Sequence, residues 1–400
     1  MIDLWDAIII GGGLAGLAAG IRGAERGKQV IIVAEGTGSL PNASGTLDFG
    51  DFSRLVKQSN HPYCMLGEDN IRRAWQYFQS VFPQYQTKWG GTDSVLTPLG
   101  EVRPAGLVTP WLSAHSLAEA ERIMILSPAG MKDFFPEIFA ANLAQSFPLA
   151  RITNREMRCE AFEAWHRCGK SVSALDYHRY WHSPDGVRYL RELLAGIVRH
   201  NSAPKTAVVF PGLSVEFSPS LQNVLREFPF PVVETTLFPP SPAGSALRTA
   251  LQAKFKALGG EVLIGGRVIG AEVKNGVCRS VRVASTGKGL SLAAKSFVLA
   301  GGGIFGGGIE TGSEQVREPV FDLPLYMPAE WTKRDFLGEQ PYAYTGVEVD
   351  SKLRPLDAAG RVIMPNVRVC GRMLAHWDPW TEHCGGGVSL TSGLVAGESI

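Results

Sequence analysis

The strongest constraint on the fold lies in the first 35 residues of the chain. Ala7–Ile10 is a short, fully apolar run, as expected of a buried parallel strand. Gly11, Gly13 and Gly16 follow at once in a G-x-G-x-x-G spacing, and a helical pattern then leads to a second apolar run, Val30–Val33. Strand, glycine turn, helix and strand in this order form a βαβ unit with a dinucleotide fingerprint. The sequence therefore predicts a phosphate-binding turn for a dinucleotide or a flavin.

Each residue of this turn has its own predicted task. Gly11 allows the tight turn, Gly13 lets a pyrophosphate approach the backbone, and Gly16 lets the helix pack closely on the strand. Leu14 and Ala15 begin the helix, where N–H groups and the positive end of the helix dipole attract phosphate. We expect all five residues to contact the cofactor.

The acidic residue that would bind an adenosine ribose is less clearly marked. Glu35 follows the second strand at about the ~20-residue distance expected from the turn. Ala34 occupies the better position, and a shift of one residue in a strand reverses the face of a side chain. Two alternatives follow: Glu35 binds the ribose of FAD, or the site holds FMN or an FAD that is anchored differently.

Two other loops of small residues are typical of close ligand approach. Residues 42–48 form a hydroxyl-rich loop that could pass under the flavin phosphates or ring, and the apolar strand 296–300 runs into glycines. We expect cofactor contacts from these loops at Ser44, Gly45, Thr46, Gly301 and Gly302.

Composition excludes several classes of protein. The chain has 400 residues, is 45% hydrophobic and 19% charged, and carries a formal net charge of +1. Such a balance suits a large globular core and gives no electrostatic reason to bind nucleic acid. The six cysteines include no CxxC pair, so we expect no metal site, no iron–sulfur cluster and no disulfide framework, but reduced thiols in the cytoplasm. MIDLWDAIII lacks the features of a signal peptide, and no apolar run has the ~18–20 residues of a transmembrane helix.

The order of the predicted elements indicates an α/β protein. We expect a Rossmann-like FAD/NAD(P)-binding domain in two parts, residues 1–95 and 236–400, with an inserted α/β domain at 96–235. In two-domain flavoproteins such an insert often caps the substrate face, which is an analogy. The elements predicted for the insert are a hairpin in LTPLGEVRPAG, strands at 123–126 and 207–210, and an amphipathic helix over 131–147.

After the insert, the pattern predicts a helix over 246–262 and then a small antiparallel sheet. Its strands are expected at 262–264, 268–273 and 279–283, with Lys274-Asn275-Gly276 as a hairpin turn.

The last glycines suggest a second contact with the cofactor. A strand at 367–370 ends in Gly371, and Gly385–Gly387 precede a helix of small residues. The N–H groups at the start of a helix carry a partial positive charge, which would stabilise the negative charge of a reduced flavin at N1/C2=O. We expect contacts from Gly371, Arg372, Gly385, Gly386, Gly387 and Val388. The chain stops at Ile400 inside this predicted helix, so we expect a native tail beyond it.

Taken together, these stretches resemble the flavoprotein oxidoreductases with an FAD/NAD(P)-binding fold and, more narrowly, the B subunits of anaerobic glycerol-3-phosphate dehydrogenase. The resemblance spans residues 8–388 and is most specific in HPYCMLG, in Arg-Glu-Pro at 317–319 and in the Asp-Pro…Cys-Gly-Gly-Gly run. The stretches that carry it are IIIGGGLAGLAAG, ASGTLDF, HPYCMLG, LTPLGEVRP, LFPPSPAGSALRTALQAKF, FVLAGGGIFGGGI, VREPVFDLPL and WDPWTEHCGGGV.

The resemblance implies a protein that pairs with a flavin-bearing A subunit and is tethered to the cytoplasmic membrane by an iron–sulfur C subunit. Such a complex oxidises sn-glycerol 3-phosphate to dihydroxyacetone phosphate and passes electrons to the quinone pool. The resemblance also implies FMN. In one respect the chain departs from related flavoproteins, which often carry Gly-Asp where Gly371-Arg372 stands; Arg372 cannot accept a hydrogen bond but could pair with a phosphate.

Oxidation of a secondary alcohol needs a base for the hydroxyl proton and cations for the substrate phosphate. His383 and His376 are the candidate bases, and Arg317 and Arg372 the candidate cations. Asp378 and Glu382 could orient a histidine, whereas Cys384 is interpreted as a packing residue.

Three interpretations of the function remain open. The flavin of this chain takes the hydride itself, or the chain transfers electrons for a substrate site on the A subunit. In the third interpretation, the chain is a standalone flavin-dependent oxidase or dehydrogenase of another substrate.

Overall fold

The computed structural model describes residues 4–200, 205–284, 289–312 and 315–400. The chain divides into two compact units. The first unit consists of Met1–Leu40, Asp48–Phe78 and Arg248–Ile400, and the second of Pro41–Leu47 and Gln79–Leu247.

The helices and strands are numbered along the chain. The strands are β1 Trp5–Ile10, β2 Val30–Ala34, β3 Asp93–Leu96, β4 Val102–Ala105, β5 Arg122–Pro128, β6 Arg151–Met157, β7 Thr206–Pro211, β8 Val232–Thr235, β9 Glu261–Ile264, β10 Arg267–Lys274, β11 Val277–Ala284, β12 Leu290–Leu299, β13 Glu310–Thr311, β14 Val316–Arg317 and β15 Val367–Val369. The helices are α1 Leu14–Glu25, α2 Phe52–Leu55, α3 Pro62–Leu66, α4 Glu68–Val81, α5 Pro136–Ser146, α6 Glu160–Arg167, α7 Ala174–Trp181, α8 Pro184–His200, α9 Pro219–Arg226, α10 Pro242–Ala257 and α11 Gly385–Glu398. The predicted βαβ unit is confirmed by β1, α1 and β2.

The first unit is built on a seven-stranded sheet in the order β10-β11-β12-β1-β2-β9, with β15 added beside β12. Strands β9, β2, β1, β12 and β15 are mutually parallel, so their carboxyl ends lie at one edge of the sheet. Residues Ala7–Ile10 of β1 and Val30–Ala34 of β2 are all apolar and buried. Ligands of open parallel sheets bind beyond this edge, where the glycine turn and Gly371 both lie.

One part of the sequence-based prediction is wrong. Residues 262–264 belong to β9, which pairs in parallel with β2, opposite Ile31–Ala34, and does not join an antiparallel sheet with β10. The reason is that β9 follows the long helix α10, and a strand after a crossover helix returns in parallel. The hairpin of β10 and β11 is confirmed: Asn275 and Gly276 both have positive φ, as a tight hairpin turn requires.

Helix α11 packs against α1, which explains why it consists of small residues. A side chain at Gly393 would overlap the carbonyl oxygen of Ala15 on α1. The Ser392 hydroxyl accepts a hydrogen bond from Gly371 N–H at 2.9 Å, so α11 is also joined to the end of β15. This packing places the middle of α11, at Gly393, beside the first turn of α1.

The second unit has a six-stranded sheet in the order β4-β3-β8-β7-β5-β6. The predicted β3–β4 hairpin is antiparallel, whereas the other neighbours in this sheet pair in parallel. The predicted helix over 131–147 begins only at Pro136, because proline is favoured in the first turn of a helix and disfavoured farther inside it. The core of the second unit is rich in aromatic residues, including Tyr177, Trp181 and Phe210.

Two carboxyl groups, Glu216 and Glu234, are buried in the second unit. Glu234 accepts hydrogen bonds from the N–H groups of Ser214 and Val215 at 2.7 Å each, whereas neither carboxyl oxygen of Glu216 has a partner. Burial raises the pKa of both carboxyl groups above their ordinary value of 4.5, and the neighbouring Glu216 raises that of Glu234 further. The folded protein therefore holds a proton that the unfolded chain releases at lower pH.

We expect this proton to make stability depend on pH. The stability contributed by the protonated carboxyl groups is fully present below about pH 4.5 and is lost as the pH rises through the raised pKa values of the pair. The isosteric substitution Glu216→Gln should raise the free energy of unfolding by roughly 1–3 kcal/mol at about pH 8 and change it little at about pH 5. Urea unfolding at the two pH values measures this, with the exposed Glu121→Gln as control. An unchanged pH slope in Glu216→Gln would contradict the assignment.

In the part of the chain that is described, no helix combines the length and the apolar character needed to cross a membrane.

Candidate functional site

The glycine turn between β1 and α1 has the shape of a phosphate cradle. Gly11 has a φ of 116°, and a Cβ there would overlap the carbonyl of Ala300. A Cβ at Gly16 would overlap the carbonyl oxygen of Gly11, which is the close packing that the sequence predicts. A Cβ at Gly13, in contrast, would meet no atom within 4 Å.

Gly13 is the N-cap of α1, and no side chain caps its first turn. The first N–H groups of a helix have no partner within the helix, and anions bind there readily. Leu14 and Ala15, predicted cofactor contacts, are the first residues of α1. The open space at Gly13 and the uncapped first turn fit the phosphate of a flavin nucleotide.

The register at the end of β2 is now defined. Ala34 is buried, and its Cβ lies 3.0 Å from the position that a Cβ on Gly12 would take, so Ala34 faces the glycine turn. The Glu35 side chain is 68% exposed and lies 3.9 Å from the guanidinium of Arg267. The alternative in which Ala34 stands where a ribose-binding acid would be therefore gains support, and binding by Glu35 stays a prediction.

The N-terminus of α11 is the second element of the site. Cys384 is its N-cap, no side chain caps it, and the helix begins at Gly385. Gly385 and Gly386 are partly accessible, whereas Gly387 and Val388 are buried. Gly387 N–H donates to the carbonyl oxygen of Asp48 at 2.9 Å.

A cluster of three side chains that sequence reasoning did not assemble lies directly before this helix. His61 Nε2 is 3.2 Å from Glu382 Oε2, and the Cys384 sulfur is 3.7 Å from the same oxygen. Asp378 N–H also donates to it, at 2.9 Å. Glu382 therefore orients a histidine, as the sequence predicts, but that histidine is His61. In the sequence, His61 is marked only by the family motif HPYCMLG.

Hydrogen bonds to the backbone orient this cluster. His61 Nδ1 accepts the N–H of Tyr63 at 3.0 Å, so Nε2 carries the proton of the neutral ring and donates it to Glu382. Burial raises the pKa of the Cys384 thiol well above its ordinary range, and the neighbouring Glu382 raises it further. The cluster joins the loop before α11 to the start of α3.

Arg372 lies in a short 3-10 turn directly after β15. Its guanidinium carbon is 5.3 Å from the ring centre of Trp377 and 5.9 Å from that of Trp380, and Nη2 donates to the carbonyl oxygen of Ala343. Nε and Nη1 are buried without a hydrogen-bond partner. Burial lowers the pKa of Arg372 to about 10, while Asp378 and Glu382 act to raise it, so the side chain is charged at neutral pH.

Comparisons with known proteins agree with this geometry. The sequence model of the family described as "FAD binding domain" matches residues 6–388. The B subunit of anaerobic glycerol-3-phosphate dehydrogenase from Yersinia enterocolitica is 30% identical, in an alignment covering 99% of this chain and 98% of the relative. This chain belongs to that B-subunit family. The protein of the same name from Vibrio cholerae is 28% identical over 99% of this chain and 96% of its own.

Among solved structures, the 3-ketosteroid-Δ4-(5α)-dehydrogenase of Rhodococcus jostii RHA1 matches with a TM-score of 0.39 and 11% identity, over 99% of this chain and 98% of that one.

This B-subunit family member is thus a flavin-dependent oxidoreductase with an FAD-binding fold, and the predicted fold class is confirmed. Flavin binding is likewise confirmed. The B-subunit designation of the relatives also implies partner subunits.

The predicted catalytic side chains have separate environments in the described residues. His383 is exposed, and Arg317 is half-exposed on the β13–β14 hairpin, 2.8 Å from Glu310. His376 bonds Glu348 at 2.9 Å and lines a cleft of about 360 Å³. No hydrogen bond or ion pair joins the three to one another in the part that is described, and their catalytic roles stay predictions.

The remaining predicted contacts lie in two loops. Gly301 and Gly302 begin the predicted glycine loop after β12, where Gly306 N–H donates back to Gly302 at 3.1 Å. In the second unit, the hydroxyl oxygens of Ser44 and Thr46 are 2.8 Å apart, and Arg103 donates to Ser44 at 3.1 Å. Their contacts with a flavin stay predictions, as does that of Gly45, whose carbonyl accepts the Tyr85 hydroxyl at 2.6 Å.

Proposed function

We propose that this flavoprotein is the B subunit of a complex that oxidises sn-glycerol 3-phosphate to dihydroxyacetone phosphate and passes the electrons to the quinone pool. The observation that carries the proposal is the match, at 30% identity and nearly full length, to a relative named as the B subunit of that dehydrogenase. The glycine turn and the uncapped start of α11 support a flavin that takes part in the reaction.

When bound, a flavin supplies the acceptor for the hydride that leaves the secondary alcohol. The turn at Gly11–Gly16 would hold its phosphate, and the N–H groups of Gly385 and Gly386 would stabilise negative charge at the start of α11. Of the two candidate bases, His376 has a carboxylate, Glu348, to orient its ring. His376 would accept the hydroxyl proton on its free ring nitrogen.

The proposed partners follow from the same relatives. We propose a flavin-bearing A subunit and an iron–sulfur C subunit, with the latter holding the complex at the cytoplasmic face of the membrane. This chain would then be a cytoplasmic protein bound to the membrane through its partner.

One observation favours a second function. In the described residues, no hydrogen bond or ion pair joins His376, His383 and Arg317 to one another. In this alternative the chain transfers electrons, and the substrate site lies on the A subunit.

An anaerobic reduction experiment tests the proposal and separates it from the alternative. The purified chain is mixed with sn-glycerol 3-phosphate, and the bleaching of its flavin absorbance is followed with and without the A subunit. Bleaching of the isolated chain is expected if the substrate site is its own, whereas bleaching that needs the A subunit indicates electron transfer. The enantiomer, sn-glycerol 1-phosphate, is the matched control. An inert flavin under both conditions would overturn the function.

The released cofactor should be identified by chromatography and mass in the same preparation. FAD would mean that Glu35 or another residue holds the adenosine. FMN would mean that the turn binds a single phosphate and that Ala34 marks the missing ribose ligand.

A further inference from the structure

The side chain of Arg372 is held in an unusual environment for a charged group. Its two aromatic neighbours, Trp377 and Trp380, give cation–π contacts, and its protein acceptor is the Ala343 carbonyl. None of the carboxylates that the structure describes forms an ion pair with it. A buried guanidinium with two unpartnered nitrogen atoms destabilises a fold unless a ligand completes its hydrogen bonds.

The nearby carboxylates are engaged elsewhere. Asp378 accepts the N–H of Trp380 at 2.9 Å and the hydroxyl of Thr381 at 3.0 Å. Glu382 accepts from His61 and from Asp378 N–H. Both acids therefore have partners of their own and, among the described residues, make no ion pair with Arg372, although they lie near enough to favour its charged form.

An aromatic cluster, here called the rim, lies beside Arg372 and consists of Phe305, Tyr342 and Trp380. Phe305 packs at right angles to Trp380 with ring centres 5.1 Å apart, and against Tyr342 at 6.0 Å. Phe305 is 67% exposed and Trp380 is 53% exposed. A ligand with a short carbon chain could lie on this rim with its anionic end at the guanidinium.

We propose that Arg372 binds the phosphate group of the substrate, a phosphate monoester of a small polyol. The proposal rests on the proposed function, because it takes that substrate to be glycerol 3-phosphate. A guanidinium recognises phosphate through charge-assisted hydrogen bonds, which Nε and Nη1 are free to make. The phosphate of the cofactor has its own site at the Gly11–Gly16 turn, and the exposed rim suits a ligand that exchanges with solvent.

Binding to the flavin-loaded chain gives the first test. Calorimetric titrations use sn-glycerol 3-phosphate, inorganic phosphate and glycerol. The wild type should bind the two phosphates and not glycerol. Arg372→Gln should raise the Kd of both phosphates about 10-fold or more, which corresponds to the loss of one charged hydrogen bond. Arg372→Lys should be intermediate, since it keeps the charge but loses the planar donors. Arg361→Gln, an exposed arginine paired with Asp357, is the matched control and should bind as the wild type does.

The assembled complex gives the second test. Arg372→Gln should raise KM for glycerol 3-phosphate about 10-fold or more, with kcat within about 3-fold. The ligand-free melting temperature separates binding from a structural role. If Arg372 serves only to bind phosphate, Arg372→Gln should not lower the ligand-free melting temperature. If Arg372 has a structural role, the substitution should lower it.

The outcomes are distinct. Unchanged phosphate binding in Arg372→Gln overturns the proposal. Loss of flavin from that variant also overturns it, because Arg372 would then bind the phosphate of the cofactor and not that of the substrate. If the wild type binds inorganic phosphate through Arg372 but not glycerol 3-phosphate, the phosphate site stands and the proposed substrate fails.

Discussion

Replacing Gly13 with alanine is expected to weaken flavin binding strongly while leaving the apoprotein folded. Gly13 has an extended backbone that alanine adopts without strain, and a Cβ there would meet no protein atom within 4 Å. The same Cβ would stand in the space through which a phosphate reaches the first turn of α1. Loss of one or two charged hydrogen bonds corresponds to a roughly 10- to 1000-fold weaker Kd. Flavin titration of the apoprotein measures Kd, and thermal melting measures its stability.

The matched comparison for this variant is Gly11→Ala. Gly11 has positive φ and no room for a Cβ beside Ala300, so the substitution should reduce stability and flavin content together. A Gly13→Ala protein that retains wild-type flavin affinity would show that the phosphate does not approach at this position.

The second large effect is expected at the start of α11. A Cβ on Gly387 would overlap the Tyr63 hydroxyl and come within 2.6 Å of the Phe49 ring, and all three residues are buried. Gly387→Ala should therefore lower the free energy of unfolding by roughly 1–3 kcal/mol, as overpacking does. Urea unfolding of the apoprotein measures the change.

A second substitution should relieve this strain. The Tyr63 hydroxyl is buried without a hydrogen-bond partner, so Tyr63→Phe should be neutral or slightly stabilising by itself. In the double variant, the missing hydroxyl removes the closer of the two overlaps with the Cβ of alanine, while that with the Phe49 ring remains. We expect the double variant to recover at least about 0.5 kcal/mol relative to the sum of the single changes. Strict additivity would mean that the Tyr63 hydroxyl is not what excludes a side chain at Gly387.

Much of the cofactor end of the fold could be predicted from sequence because its signals are local. An apolar strand, a G-x-G-x-x-G turn and an amphipathic helix are written within about 30 consecutive residues, and each follows from backbone sterics and burial. The β10–β11 hairpin was predictable for the same reason, since Asn275-Gly276 alone specifies the turn. The small-residue helix after Gly385–Gly387 was also predictable from a local pattern, whereas the contact of these glycines with the flavin stays a prediction.

The candidate site was predicted less completely, because its side chains meet across the chain. His61 and Glu382 are 321 residues apart, and nothing within HPYCMLG indicates which carboxylate its histidine contacts. The partner of β9 was equally hidden, since a short apolar strand has no preference between neighbours until a helix returns it to the sheet. Arg372 was predicted to bind a phosphate, but its unpartnered N–H atoms became evident only when Trp377 and Ala343 were placed around it.

The sequence by itself determined the βαβ unit, the phosphate turn and the flavin class of the protein, because these depend on backbone conformation and on burial patterns along a continuous segment. Only the tertiary structure decided the partner of β9, the locked tautomer of His61 and the unpaired charge of Arg372. Hydrogen-bond satisfaction and desolvation depend on which atoms approach within a few ångströms, and such proximity is set by the packing of the whole unit and not by any segment of it.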